Sequence, residues 1–121
     1  MIFVIDDDKV MGECIAKACG TSDGGAREVR VFTNGIEAME AISDGELPSL
    51  IFLDILLDGP DGFTFLNELV SYADTAKIPV VVVTSLDLGE QDLSAYGVVG
   101  ILPKETMRPE EVREYAGRYA K

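Results

Sequence analysis

The chain contains no histidine and only two cysteines among its 121 residues. Without histidine, the commonest general base and the usual phospho-accepting imidazole are both missing. Any acid–base or phosphoryl chemistry must therefore run on carboxylates, hydroxyls, lysine and metal. Cys14 and Cys19 are too few for a zinc site, and no histidine is there to complete one. Five apart on one predicted helix, they read as reduced core fillers rather than a disulfide. Basic residues are also scarce, with 10 Lys and Arg against 22 Asp and Glu, a net charge of −12. Phosphate backbones and anionic lipids repel such a chain, so direct nucleic-acid or membrane binding is not expected. No run approaches the roughly 20 apolar residues of a membrane span. The N-terminus lacks the basic start and apolar stretch of a signal peptide, so a cytoplasmic location is the default expectation. No linker, low-complexity tract or repeat interrupts the chain, and Met1 gives the expectation of a native start.

What the chain does have is apolar runs alternating with helical periodicity, 47% hydrophobic residues overall. One domain of this length buries roughly two-thirds of the surface its unfolded chain exposes. The first run, Ile2 to Ile5, is followed by a helix expected to bury Val10, Met11, Cys14, Ile15, Ala18 and Cys19. Val29 and Val31 alternate with Glu28 and Arg30, the pattern of an edge strand with one exposed face. Asn34 followed by Glu37 reads as a helix cap, with Ile36, Met39 and Ile42 on the buried side. Leu50 to Leu53 and Pro79 to Val83 are apolar throughout, as central strands of a parallel sheet should be. A third helix is expected to face inward through Phe63, Leu66, Leu69 and Val70. Asp87 to Glu90 suggests a capping box for a short fourth helix. Gly97 to Leu102 holds a weak fifth strand. Pro109, with Glu110 and Glu111, opens a last helix that turns Val112, Tyr115, Ala116 and Tyr119 toward the sheet. Alternation of this kind predicts α/β architecture: (βα)5 with a doubly wound, five-stranded parallel sheet.

The ends of the apolar runs carry the chemistry. The first runs into Asp6-Asp7-Asp8, the third into Asp54, the fourth into Thr84-Ser85 and the last into Lys104. Open parallel sheets bind ligands and react in the crevice beyond these strand ends. Asp6, Asp7 and Asp54 brought together would repel one another unless a cation sat among them. Oxygen donors alone favour a hard ion, Mg²⁺ first and Mn²⁺ or Ca²⁺ after it. Such a crevice, with a lysine and a hydroxyl, suits a phosphoryl group, and a central aspartate can be the nucleophile. The same residues have ordinary readings too. Asp6-Asp7-Asp8 alone fits an acidic run before a helix, with Asp8 as the cap, and Thr84 or Lys104 alone is unremarkable. A charge ending an all-apolar strand is harder to explain without function, which favours Asp54.

With these motifs in this order and spacing, the chain resembles the receiver domain of two-component response regulators, over essentially its whole length. The matching stretches are Phe3 to Asp8, Leu53-Asp54-Ile55 with the following Asp61-Gly62, Val83-Thr84-Ser85 and Lys104. The resemblance implies a flavodoxin-like fold with strand order 2-1-3-4-5, and residues 1–121 as one receiver domain without an output domain. It implies Asp54 as phosphoacceptor and Mg²⁺ (Mn²⁺ as substitute) held by Asp6, Asp7, Asp54 and the Leu56 carbonyl. Thr84 and Lys104 would hold phosphoryl oxygens. The partners implied are a sensor histidine kinase or histidine phosphotransfer protein as donor, and an unknown downstream protein. Phosphorylation would switch a face built on the fourth helix, fifth strand and last helix, through Thr84 and Ile101. Ile101 stands where the family carries an aromatic, Glu105 where a proline commonly follows the lysine, and Asp58 where a proline commonly follows the third strand. Leu56 and Leu86, both apolar, would flank the phosphoryl group and offer nothing to orient a water. Slow self-dephosphorylation is the expectation, with no enzymatic turnover beyond self-phosphorylation and decay.

Two other functions compete. A haloacid-dehalogenase-like phosphatase could use Asp6 and Asp8 of the Asp6-Asp7-Asp8-Lys9-Val10 run, but no acidic pair follows Lys104 and Asp54 would be left unexplained. A degenerate receiver acting as a phosphorylation-independent adaptor is consistent with Ile101 and Glu105. An FMN-binding flavodoxin relative is disfavoured because no Ser/Thr-rich loop follows the first strand.

Overall fold

The computed structural model describes residues 1–22, 25–26, 28–55, 62–85 and 93–119. Five strands form one sheet: β1 (Ile2–Ile5), β2 (Val29–Phe32), β3 (Leu50–Asp54), β4 (Val80–Thr84) and β5 (Val98–Pro103). All neighbours are parallel, in the order β2-β1-β3-β4-β5. The four described α-helices are α1 (Lys9–Cys19), α2 (Gly35–Ser43), α3 (Gly62–Val70) and α4 (Pro109–Tyr119). The capping box expected at Asp87 to Glu90 lies outside the described residues; a short 3-10 turn, Ser94–Tyr96, precedes β5. A small antiparallel ribbon after α1 pairs Thr21–Ser22 with Gly25–Ala26. No helix among the described residues is long and apolar enough to cross a membrane.

Because side chains alternate across a strand, each central strand feeds two cores. Phe3, Ile5, Ile51, Leu53, Val80 and Val82 pack on the α2–α3 side. Ile2, Val4, Leu50, Phe52, Val81 and Val83 pack with Ile15, Val112 and Ala116 on the other side. Full burial of each large apolar side chain contributes about 1.5–3 kcal/mol, which is why these strands carry no polar residue before their ends. Residues beyond β1 gain a cap: Asp8 accepts hydrogen bonds from the Val10 and Met11 amides at 3.0 and 3.3 Å. Asn34 caps α2 by accepting from the Glu37 amide at 2.8 Å. At the β2 edge, Arg30 pairs with Glu46 and lies over the Phe32 ring.

Three helix faces are rotated from their expected positions. On α1 the buried residues are Gly12, Ile15 and Cys19, while Val10 and Cys14 are exposed. Gly12 causes this: a Cβ there would lie 2.9 Å from Val31 Cγ1, so the helix presses its glycine against the sheet. Cys14 is therefore a surface thiol rather than a core filler, and neither cysteine forms a disulfide. On α2 the buried set is Gly35, Ala38, Ala41 and Ile42, with Ile36 52% exposed. Phe65 of α3 fills the space beside Gly35, within 3.3 Å of where a Cβ would stand, and Ala38, Ala41 and Ile42 of α2 belong to the same core. On α3 it is Phe65, with Leu66 and Leu69, that is buried; Phe63 and Val70 are half-buried.

Candidate phosphoacceptor and metal site

The parallel register assembles the site. Ile5 is level with Leu53, Asp54 with Val83, and Thr84 with Pro103. One step past Ile5 and Leu53 therefore brings Asp6 and Asp54 side by side. Thr84 and Lys104 stand at the ends of the next two strands, where the Lys104 amide donates to the Thr84 carbonyl at 2.9 Å. Asp6 is 1% exposed and Asp54 3%, and Thr84 is also buried. Burying carboxylates this deeply is costly unless something compensates their charge.

Lys104 supplies that compensation. Its ammonium lies 3.0 Å from Asp54 Oδ2 and 3.1 Å from Asp6 Oδ2. It donates a hydrogen bond to Asp54 Oδ2, and a longer one, 3.4 Å, to Asp6 Oδ1. Asp6 Oδ1 also accepts from the Asp8 amide at 2.9 Å. Asp6 Oδ2, though buried and close to the ammonium, accepts no well-directed hydrogen bond from the described residues. Burial raises the Asp6 pKa above the ordinary carboxylate value, outweighing the Asp8 amide and Lys104, which lower it. For Lys104, burial acts against the charge, but the hydrogen bonds to Asp54 and Asp6 and their charges prevail and raise its pKa.

These shifts have a sign. A carboxylate raised on folding stabilises the fold below its unfolded value and loses that contribution as pH rises through the folded value. Lys104, also raised, contributes below the ordinary lysine value and loses its contribution as pH rises through its folded value. In chelator, Asp6→Asn is accordingly expected to melt above the wild type at pH 7, with the gap closing toward pH 4. Thermal melts across that range check it; a gap that widens on acidification would contradict the electrostatic reading of Asp6.

One oxygen each from Asp6, Asp7 and Asp54 lie within 4.8 Å of one another, with Asp7 at the exposed mouth. The donor set is all carboxylate, and Asp6 Oδ2 is a buried acceptor still open to a cation. These residues fit a hard divalent ion. Leu56, Asp58, Asp61 and Leu86 lie outside the described residues. Gly62 has a part that spacing alone did not reveal. A Cβ there would lie 2.6 Å from Ile55 Cα and 2.9 Å from the Asp54 carbonyl oxygen, so the start of α3 packs directly against the strand end carrying Asp54.

The family profile described as response regulator receiver domain matches residues 2–116. The chain belongs to that family. Among curated relatives, this receiver domain is 40% identical over 60 residues to the response regulator PleD of Caulobacter vibrioides, covering 50% of the chain and 13% of PleD. It is 31% identical over 110 residues to protein-glutamate methylesterase/protein-glutamine glutaminase 2 of Cereibacter sphaeroides, covering 88% of the chain and 29% of that protein. It thus spans less than a third of either. Among solved structures, the Mn²⁺-bound form of response regulator Rcp1 superposes with a TM-score of 0.74 at 26% identity, covering 96% of this chain and 88% of that one. The receiver domain is a phosphoacceptor of two-component signalling. Asp8, the second aspartate a dehalogenase-like phosphatase would need, is occupied in capping α1.

Proposed function

We propose that Asp54 accepts a phosphoryl group from a phosphohistidine on a partner kinase or phosphotransfer protein, in a Mg²⁺-dependent reaction. The observation that carries this is the Lys104 ammonium bridging Asp54 and Asp6, with Asp7 beside them at the mouth. An Asp54 carboxylate oxygen attacks phosphorus. The new P–O bond forms as the P–N bond of the donor breaks, and the departing imidazole keeps the electron pair and takes a proton from water. Lys104, already 3.0 Å from Asp54, would pair with a phosphoryl oxygen, and the Thr84 hydroxyl would donate to another. Asp6, Asp7 and Asp54, with the Leu56 carbonyl, would hold the ion. When bound, that ion neutralises charge on the phosphoryl oxygens.

The ion should also stabilise the fold by mass action. Mg²⁺ at 100 times its dissociation constant is expected to add about 2.7 kcal/mol, read as a higher melting temperature. Asp7→Asn, on the exposed rim, should remove most of that rise. An identical Mg²⁺ response in wild type and variant would exclude Asp7 from the metal site.

Decay of the acyl phosphate is expected to be slow, because leucines at positions 56 and 86 cannot orient an attacking water. Leu56→Asn and Leu86→Glu should each speed loss of label severalfold after the donor is removed. Unchanged decay in both would reject this account. The signal is proposed to leave through β5 and α4, with Thr84 and Ile101 as the responsive positions. Supporting this, Ile101 is 39% exposed, and the Tyr115 hydroxyl occupies the space beside Gly100 where a Cβ would stand.

A further inference from the structure

α2 and α3 lie side by side over the sheet and meet where Phe65 packs beside Gly35. Between them runs a cavity of about 540 Å³, followed by a second of about 250 Å³, with Met39, Ser43 and Glu68 lining both. The floor is apolar. Ile36 and Met39 of α2 and Phe65 of α3 line the larger part, and Tyr72 extends the floor into the smaller. Ile36 is 52% exposed and Tyr72 59%. Among the described residues the rim has one sign of charge: Glu40, Asp44 and Glu68 border the larger cavity and Asp74 the smaller, and no described lysine or arginine lines either. None of these residues belongs to the crevice at the strand ends.

We infer that the α2–α3 groove is a docking surface for an amphipathic helix of another protein, one that carries an apolar stripe flanked by lysine or arginine. The charge of the rim selects the partner. An anionic ligand or lipid surface would meet four carboxylates, and a second copy of this chain, itself at −12, would oppose carboxylate to carboxylate. A basic helix instead gains on both counts, burying its apolar residues on Ile36, Met39 and Tyr72 while its cations face Glu40, Asp44, Glu68 and Asp74. α2 and α3 each run nine residues, about 13 Å, so the contact spans two to three turns of a partner helix.

The test titrates the isotope-labelled chain with a helical peptide of roughly four turns, about 14 residues, carrying leucines on one face and lysines on its flanks. A twin with glutamates for lysines is the control. The lysine peptide is expected to shift the amide resonances of Ile36 to Ser43 and Thr64 to Tyr72, and the twin to leave them unmoved. Ile36→Glu should weaken binding about tenfold or more while the sheet resonances stay in place. Glu40→Lys combined with Glu68→Lys should transfer the preference to the glutamate twin. The inference is overturned by absence of shifts at millimolar peptide, by shifts confined to β5 and α4 or to the crevice, or by equal binding of the two peptides. Self-association that Ile36→Glu abolishes would make a second copy the occupant and overturn it equally. Asp54→Asn should leave the titration unchanged, so failure here and failure of the phosphoacceptor reading are separable.

Discussion

Asp54→Asn is expected to abolish phosphoryl uptake from acetyl phosphate or a phosphohistidine donor in the presence of Mg²⁺. Asparagine keeps the shape and the bond that Lys104 donates to Oδ2, but an amide oxygen is far too weak a nucleophile to displace the donor. The fold should survive, because the substitution removes one of two buried carboxylates that share a single ammonium. Intact mass is the readout: the wild type gains one phosphoryl group and the variant gains none. Mapping the label supplies the stricter test. Phosphate on Asp6 in the wild type, or full uptake by Asp54→Asn, would assign the chemistry to a different carboxylate.

Lys104→Met should produce the largest loss of stability among changes at the site. Methionine keeps much of the aliphatic stem and removes the ammonium, leaving Asp6 and Asp54 buried with no cation between them. Breaking a buried ion pair by removing one partner costs about 3–5 kcal/mol. The Lys104 side chain is 18% exposed, so some water reaches its head group and the lower part of that range is expected. In metal-free buffer the melting temperature should fall by roughly 10 °C for a domain of this size. Two readouts separate the electrostatic cause from a packing defect. The deficit should shrink as pH is lowered and a carboxylate takes up a proton, and Mg²⁺ should raise the melting temperature of the variant more than that of the wild type. A deficit independent of both pH and Mg²⁺ would mean that Lys104 acts as filler and not as counter-ion.

Much of the site is legible in the sequence. Asp6 and Asp54 end runs in which every other residue is apolar, and a charge at the end of a buried strand announces itself. Asp8 followed by a helical pattern is a local signal, and its bonds to the Val10 and Met11 amides span only two and three residues. The edge strand likewise showed its position in the alternation of Glu28, Val29, Arg30 and Val31. Helix rotation was less legible. Apolar residues at Val10, Cys14 and Ile36 satisfy a 3.6-residue period, yet all three are exposed. Periodicity shows that a helix has an apolar face but not where its centre lies. On α1 the centre is decided by how closely Gly12 lets the helix approach Val31, on α2 by the space Phe65 takes beside Gly35.

The sequence by itself determined the alternation of strands and helices, the two-faced cores and the order in which acid, hydroxyl and ammonium meet the strand ends. Those features follow from side-chain periods and local hydrogen bonds, which act over a few residues. Only the tertiary structure decided that Lys104 serves both Asp54 and Asp6, partners 50 and 98 residues away in the chain. It alone opened the acidic groove between α2 and α3. Both depend on how separate elements pack, and packing is settled by surfaces that come together only when the whole sheet is formed.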